Sequence, residues 1–468
     1  VTHPRARLLA AASFAALSAA PAARADDSTG HLLNQLLNAQ PGQSRLGDAQ
    51  ETRDLAGFWL IPNVEPFLDP RKSFIKIGLD EPQPAPINMG RIDPLIGDDP
   101  LGIMATPLRN VELWMRENLG VRTDLYDLTV AQRASRALPG REPWAISNRF
   151  NLRFDWKLWE IQGAGTGSFT AQFRANNNWS AQNVNLSSAI GSSVVAVDSA
   201  DSAKYAAIQR FFFQQGFAED RLLVGAGKIN PNDTTAQNFF AGDETNQFLA
   251  SVFNGGDALP SGWSSTLPGV YAQFIPCDGL YVNAIATSPL GGGTTGLGFG
   301  AVGDGLYMVG AEAGLVVALG AQRELAGRYS VFVCNTNAGN ATTGASSKQY
   351  GSAMAVIAQQ FIDRDIGLWI SYELSDRDVS PASQELTFGG LIENTFNRHG
   401  DAAGIALGWT KPSVPGEREQ KTLEAFYRLR LTGSMELSPD IQMVVDPTNP
   451  AASTGVTWVF GLRSKIKF

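Results

Sequence analysis

The chain has 468 residues, a formal net charge of −8 and 18% charged residues. That length holds two or three globular domains or one large barrel. The acidic balance and the absence of a lysine/arginine cluster argue against a nucleic-acid partner. Two mature histidines, His31 and His399, are too few and too far apart for a histidine metal site.

The amino-terminus reads as a secretory signal, residues 1–25. Arg5 and Arg7 open it, Leu8 to Ala20 form an apolar stretch, and Ala23-Arg24-Ala25 fits a cleavage site. The mature chain is then expected to start at Asp26. Residues 26–115 read as a proline-rich periplasmic extension. His31 to Ala39 has the pattern of a short amphipathic helix. Pro62, Pro66, Pro70, Pro82, Pro84, Pro86, Pro94, Pro100 and Pro107 follow, a density that argues against central strands and long helices.

From about Val121 a two-residue period takes over. Phe150, Leu152, Phe154, Trp156 and Leu158 alternate with Arg149, Asn151, Arg153, Asp155 and Lys157. Phe169, Ala171, Phe173 and Ala175 alternate with Thr170, Gln172, Arg174 and Asn176. Later, Leu423, Ala425, Tyr427, Leu429 and Leu431 alternate with Thr422, Glu424, Phe426, Arg428 and Arg430. Met435, Leu437, Ile441, Met443 and Val445 alternate with Glu436, Ser438, Asp440 and Gln442. The last strand puts Trp458, Phe460, Leu462, Ile466 and Phe468 on one face, with Arg463, Lys465 and Lys467 on the other. Ten steps at ~3.4 Å, tilted by ~45°, rise roughly 24 Å, the height of the apolar band of an outer-membrane barrel.

No stretch is apolar for the ~18–20 residues that a spanning helix needs. A membrane fold must therefore close its strands into a cylinder. The expected fold is all-β: a transmembrane antiparallel up-and-down β-barrel over residues 116–468. At roughly 22 residues per strand and connection it has about 16 strands. Thr432-Gly433-Ser434 reads as a short periplasmic turn, and Asp446 to Thr457 as a long external loop. Phe468 reads as the barrel-assembly signal. Cys277 and Cys334 form either one disulfide or two separate thiols.

Two segments resemble the carbohydrate-selective porins of the OprB family. One is Arg221 to Phe253, with Gly227-Lys228-Ile229-Asn230-Pro231, Asp233, Asp243-Glu244-Thr245 and Gln247-Phe248-Leu249. The other is Glu424 to Pro450, with Pro439-Asp440-Ile441-Gln442 before Asn449-Pro450. Phe460-Gly461-Leu462-Arg463 also fits, and Glu117 to Val121 matches more weakly. Asn230 stands where the family usually has aspartate, and residues 255–345 match poorly.

The resemblance implies a porin in the cell outer membrane that passes small sugars. It needs no cofactor and no catalytic residue. Its partners would be outer-membrane lipid and the barrel-assembly machinery, and its state a monomer or a homotrimer. Sugar hydroxyls need paired donors and acceptors, and sugar C–H faces favour aromatic rings. The lumen candidates are Arg149, Arg153, Asp155, Lys157, Gln172, Arg174, Glu424, Arg428, Arg430, Glu436, Asp440, Gln442 and Arg463. Trp159 and Phe426 share the inward parity and are the aromatic candidates. Lys228, Asp233, Asp243, Glu244, Asn246 and Gln247 lie on an irregular segment expected to act as an eyelet, as a structural latch, or as both. The generic alternative is that the lumen residues pair only with one another. A rival function is a structural or adhesive barrel whose extension binds cell wall or partners. A barrel hydrolase would need a nucleophile with a histidine partner, and only His399 lies in the barrel region.

Overall fold

The computed structural model describes residues 95–96, 99–161, 165–179, 186–192, 205–254, 256–277, 279–291, 295–320, 325–398 and 400–468. The expected signal peptide, the 31–39 helix, the prolines up to Pro94, His31 and His399 lie outside these residues.

Alternation of apolar and polar residues gives sixteen antiparallel strands, each paired with its sequence neighbours. They are β1 (Val121–Ala134), β2 (Trp144–Ile161), β3 (Gly165–Asn178), β4 (Tyr205–Phe217), β5 (Leu222–Ile229), β6 (Leu267–Cys277), β7 (Leu280–Thr287) and β8 (Met308–Leu319). The second half is β9 (Leu325–Ala338), β10 (Lys348–Phe361), β11 (Ile366–Ser375), β12 (Ala382–Glu393), β13 (Ala402–Pro412), β14 (Gln420–Arg430), β15 (Met435–Val445) and β16 (Val456–Lys467). β1 pairs with β16, from Tyr126 opposite Lys467 to Ala134 opposite Val459, and this closes the cylinder. Phe468 donates its backbone N–H to the Leu125 carbonyl at 3.0 Å and extends that seam. Among the described helices none is long and apolar enough to cross a membrane.

Connections differ by end. Residues 218–221, 362–365 and 431–434 make short turns at one end, while 230–266, 288–307 and 446–455 make long loops at the other. Short turns mark the periplasmic end of such barrels. The outer wall is apolar, with Phe150, Val331, Ile370, Ile405 and Phe460 exposed. Cys277 is exposed, Cys334 is buried, and both are free thiols.

Two local expectations fail. Helix α1 (Gly102–Leu119) forms in spite of Pro107, which sits inside it. Proline forfeits one hydrogen bond there. The twelve residues after Pro107 are mostly helix formers, and Gly120 ends the helix in the left-handed region with its N–H on the Met115 carbonyl. The expected boundary between residues 115 and 116 falls inside this helix. Trp159 faces outward, because a bulge between Lys157 and Trp159 resets the parity of β2. Its indole is 43% exposed and packs beside Phe213 over the bare backbone of Gly167.

The inner wall is not polar throughout. Phe240, Phe248 and Phe253 of the 230–266 loop bury themselves against Phe361, Trp369, Leu391, Ala406 and Phe426 on the strands. One side of the lumen is therefore a dry core made from loop and wall.

Candidate constriction site

The 230–266 loop is held inside the barrel because the strands around it offer buried hydrogen-bonding groups to its backbone. On β8, Glu312 accepts the Ala236 N–H at 2.6 Å. On β10, Gln359 accepts from Phe239 at 2.6 Å and donates to the Gln237 carbonyl at 2.8 Å. On β14, Glu424 is fully buried and takes the N–H groups of Leu249 at 2.6 Å and Ala250 at 2.8 Å. Unpaired backbone groups are costly when buried, so these contacts fix the loop's path. Phe248 sits at the centre, ringed by Phe253, Trp369 and Phe426 at centroid distances of 4.9–5.4 Å.

The loop's tip, residues 243–247, is clamped by cations. Arg463 of β16 donates to the carbonyls of Glu244 at 2.7 Å and Gln247 at 2.6 Å. Lys465 reaches the Thr245 hydroxyl at 3.0 Å and the Asn246 amide oxygen at 2.8 Å. Arg428 of β14 donates to the Asn246 carbonyl at 3.3 Å. Arg149 of β2 forms a short ion pair with Glu244. Burial would raise the carboxyl pKa of Asp243. Lys465 beside it and hydrogen bonds from Thr245 and Asn246 outweigh that effect and hold it below its usual value.

Opposite the tip stands a basic wall. Arg149 and Arg153 come from β2, Arg174 from β3 and Arg210 from β4. Arg153 pairs with Asp155 at 2.9 Å, and Asp155 accepts the Thr170 hydroxyl at 2.7 Å. Arg210 pairs with Asp233 at the root of the loop at 2.5 Å and also reaches Gln172. Arg174 lies within the electrostatic reach of Arg149, Arg210 and Glu244. Arg153, Arg210, Asp233 and Glu244 keep 12–20% of their side chains exposed. Four guanidiniums thus gather with Asp155, Asp233 and Glu244 where the loop meets the wall, with charge nearly balanced.

The sequence candidates separate into groups. Arg149, Arg153, Asp155, Gln172, Arg174, Asp233, Asp243, Glu244, Asn246 and Gln247 come together at this tip and wall. Glu424 and Arg463 lie beneath the loop as its anchors. Phe426 is only 5% exposed under Phe248, so its ring is covered. Asp440 and Gln442 are buried together, with the Gln442 amide donating to Asp440 at 3.0 Å. Arg428 reaches the tip. Arg430 and Glu436 lie lower: Glu436 pairs with Lys467 at 3.1 Å, and the Arg430 backbone meets Asp401 and Leu95. Lys157 pairs with Glu160 at 3.0 Å near the α1–β1 junction, away from the tip. Lys228 is buried against the loop between β7 and β8, its ammonium donating to the Gly296 carbonyl at 2.6 Å.

Several contributors carried a weaker sequence signal. Arg210 interrupts an apolar run in β4. Lys465 has the inward parity of Arg463. Glu312 and Arg328 form a fully buried pair with Tyr281 behind the loop. Glu312 and Arg328 are each the lone charge of their strand, and that isolation was the available sign. On the loop's returning limb, Asp257 lies near Glu385 and Glu373. Its N–H donates to Glu385 at 3.4 Å, and its carbonyl accepts from Ser380 at 2.9 Å. Burial pushes the Asp257 carboxyl up to about 7. Among the described residues no acidic, histidine and cysteine group is arranged to hold a metal ion.

Comparison with known proteins bears on the family and the fold. Residues 142–468 match the family model described as carbohydrate-selective porin, OprB family. No curated protein sequence matches the chain. Among solved structures, the high-pH structure of Pseudomonas putida OprB is similar at a TM-score of 0.60 and 15% identity, covering 77% of this chain and 97% of that one. The low-pH structure of the same protein gives 0.49 and 12%, covering 78% and 98%. A triple mutant of the Rhodopseudomonas blastica porin gives 0.47 and 12%, covering 74% and 100%.

Proposed function

Because the chain belongs to the OprB family of carbohydrate-selective porins and is a protein of the outer membrane, we propose that it lets sugars and similar small neutral solutes diffuse passively through its barrel. The observation that carries this reading is the nearly charge-balanced cluster of guanidiniums and carboxylates where the inserted loop meets the basic wall. Selectivity in a pore comes from width, from lining donors and acceptors, and from net field. Here Arg153, Arg174 and Arg210 offer forked donors, and Asp155, Asp233 and Glu244 offer acceptors. Sugar hydroxyls use both kinds at once. With Trp159 outside and Phe426 covered, the recognition on this reading is carried by hydrogen bonding.

On this reading small sugars are the cargo and outer-membrane lipid surrounds the wall. The barrel-assembly machinery inserts the strands, with Phe468 as its signal. Residues 26–115 form a periplasmic extension. The test is swelling of liposomes that contain the full chain, in a series of sugars against amino acids and salts of similar size. Faster swelling in sugars is expected. Equal rates throughout would reduce the reading to a general porin, and no swelling would overturn an open pore.

A further inference from the structure

The helix that leads into the barrel carries its apolar side uncovered. In α1, Met104, Leu108, Val111 and Met115 recur at the spacing that places them on one stripe, and Leu119 continues it. Trp114 borders the stripe. A helix on a globular domain turns such a stripe into the core. Here Ala105 alone is buried in α1, and Met104, Leu108 and Leu119 are 41–60% exposed. One residue along, Ala105, Arg109, Glu112 and Arg116 form a second stripe, about 100° round the helix. Glu112 lies within the electrostatic reach of Arg122 and Asp124 of β1. Those two share the inward parity of Tyr126, which is buried with Leu128 and Leu249. The charged stripe is therefore the one turned to the barrel mouth.

Both ends of the helix are pinned to the rim of short turns. Before its start, Ile96 donates its N–H to the Leu431 carbonyl at 2.9 Å, and Asp99 accepts the Ser434 hydroxyl at 3.0 Å. At its end, the Trp156 indole N–H reaches the Leu119 carbonyl at 3.0 Å, and the Lys157 N–H meets the Gly120 carbonyl at 2.9 Å. The 18-residue helix, about 27 Å long, thus lies along that rim instead of leading away from it. Trp156 is an exposed aromatic on the outward side of β2, at the height of the interfacial girdle of such barrels. The last turn of α1 meets this girdle on the lipid side of the wall.

We infer that α1 is an interfacial anchor whose apolar stripe lies in the periplasmic leaflet of the outer membrane. The inference rests on the barrel's place in that membrane with its short turns on the periplasmic side. Continuity identifies the occupant. Leu119 meets Trp156, so the stripe prolongs the apolar wall that lipid already covers. An amphipathic helix in the membrane plane buries its apolar face about 5–10 Å deep, at the boundary of headgroups and acyl chains, and its basic residues suit the phosphate layer. Arg109 and Arg116 stand on the adjoining stripe. The helix then holds the entry to β1 at the membrane surface.

The experiment is spin labelling of the full chain in liposomes of phosphatidylethanolamine and phosphatidylglycerol. In a Cys277→Ala, Cys334→Ala background, single labels go on Met104→Cys and Leu108→Cys of the stripe and on Glu117→Cys away from it. Heat-modified gel mobility checks in each case that the barrel is closed. At Met104→Cys and Leu108→Cys, collisions with oxygen should exceed those with a water-soluble nickel chelate several-fold. At Glu117→Cys the order should reverse. Free access of the nickel chelate to the stripe overturns the inference, because the stripe then lies in water. Labels shielded from both reagents overturn it too, because another part of the chain or a second copy then covers the stripe. A second measurement keeps the native cysteines. The share of tryptophan emission quenched by lipids brominated near the headgroup should fall in Trp114→Phe, and an equal share would also sink the anchor. None of these outcomes bears on sugar passage, which the swelling assay tests separately.

Discussion

The inserted loop is held in two chemically opposite ways. Its tip, residues 243–247, is gripped by Arg149, Arg428, Arg463 and Lys465, so each carboxylate there has a cation at hand. Its returning limb, residues 256–259, lies against Glu373 and Glu385, and no ion pair among the described residues involves Asp257, Glu373 or Glu385. Ser380 helps by donating to the carbonyls of Asp257 at 2.9 Å and Leu259 at 2.7 Å. Gly256 lets the chain pass, since it sits at φ 66° and a Cβ there would fall 2.7 Å from the Glu373 carboxylate. The difference teaches that a single loop can combine one attachment that tolerates changes of pH with another that depends on protons.

The largest effect should come from breaking the tip at its backbone anchor. Glu424→Ala strands the buried N–H groups of Leu249 and Ala250, at about 1–3 kcal/mol for each. Single-channel recording in planar bilayers should then show a wider, noisier pore, whereas an unchanged conductance would mean that the loop does not set the width. Phe248→Ala removes the ring between Phe253, Trp369 and Phe426. A loss of about 3–5 kcal/mol of loop attachment is expected, to be read as faster hydrogen exchange across residues 240–254 with the strands still protected. Arg463→Met should loosen the tip alone, by roughly 2 kcal/mol, raising exchange at 243–247 but not at 256–259.

The returning limb gives a pH test. Burial favours the neutral Asp257 in the attached loop, where its carboxyl titrates at about 7 instead of the ordinary 3.8. The attached form therefore holds a proton that a released limb gives up between those values. Its contribution is complete below about pH 4 and is lost as pH rises through about 7. Exchange at residues 256–263, corrected for intrinsic rates, should speed up over that window in the wild type and do so less steeply in Asp257→Asn, where the buried Glu373 and Glu385 still face the limb. For Asp243 at the tip the sign reverses: its contribution stands above its ordinary pKa and fades only in acid. The smallest effect belongs to Lys157→Ala, because the Lys157–Glu160 pair is exposed and away from the tip. Conductance should not change.

Much of the barrel was legible because its physics is local. Side chains that alternate on a strand must face two solvents, and β2, β3, β14, β15 and β16 record that directly. The short turn at 431–434 and the long loop at 446–455 are legible for the same reason. The irregular segment after Lys228 stood out against such regularity. The anchors were harder to see, because Glu424 and Arg463 look on sequence like any lumen residue. Only the loop folded over them turns a wet position into a buried one. Trp159 misled because one extra residue inverts parity, and a bulge leaves no mark in alternation. α1 was missed because its favourable residues and its capping glycine outweigh one proline. Glu312, Arg328 and Tyr281 stand on three consecutive strands and meet through the register between them, which no period within one strand encodes.

The seam between β1 and β16 has a consequence for how the molecule is made. The two strands that complete the cylinder lie at opposite ends of the strand sequence, from Val121 to Lys467. Until both have arrived, the growing sheet keeps two open edges, each a template for wrong pairing. Contacts of such long sequence separation form slowly. A chain stalled before residue 456 would therefore stay sticky in transit, and its survival would depend on a chaperone that shields edges until the final strand docks.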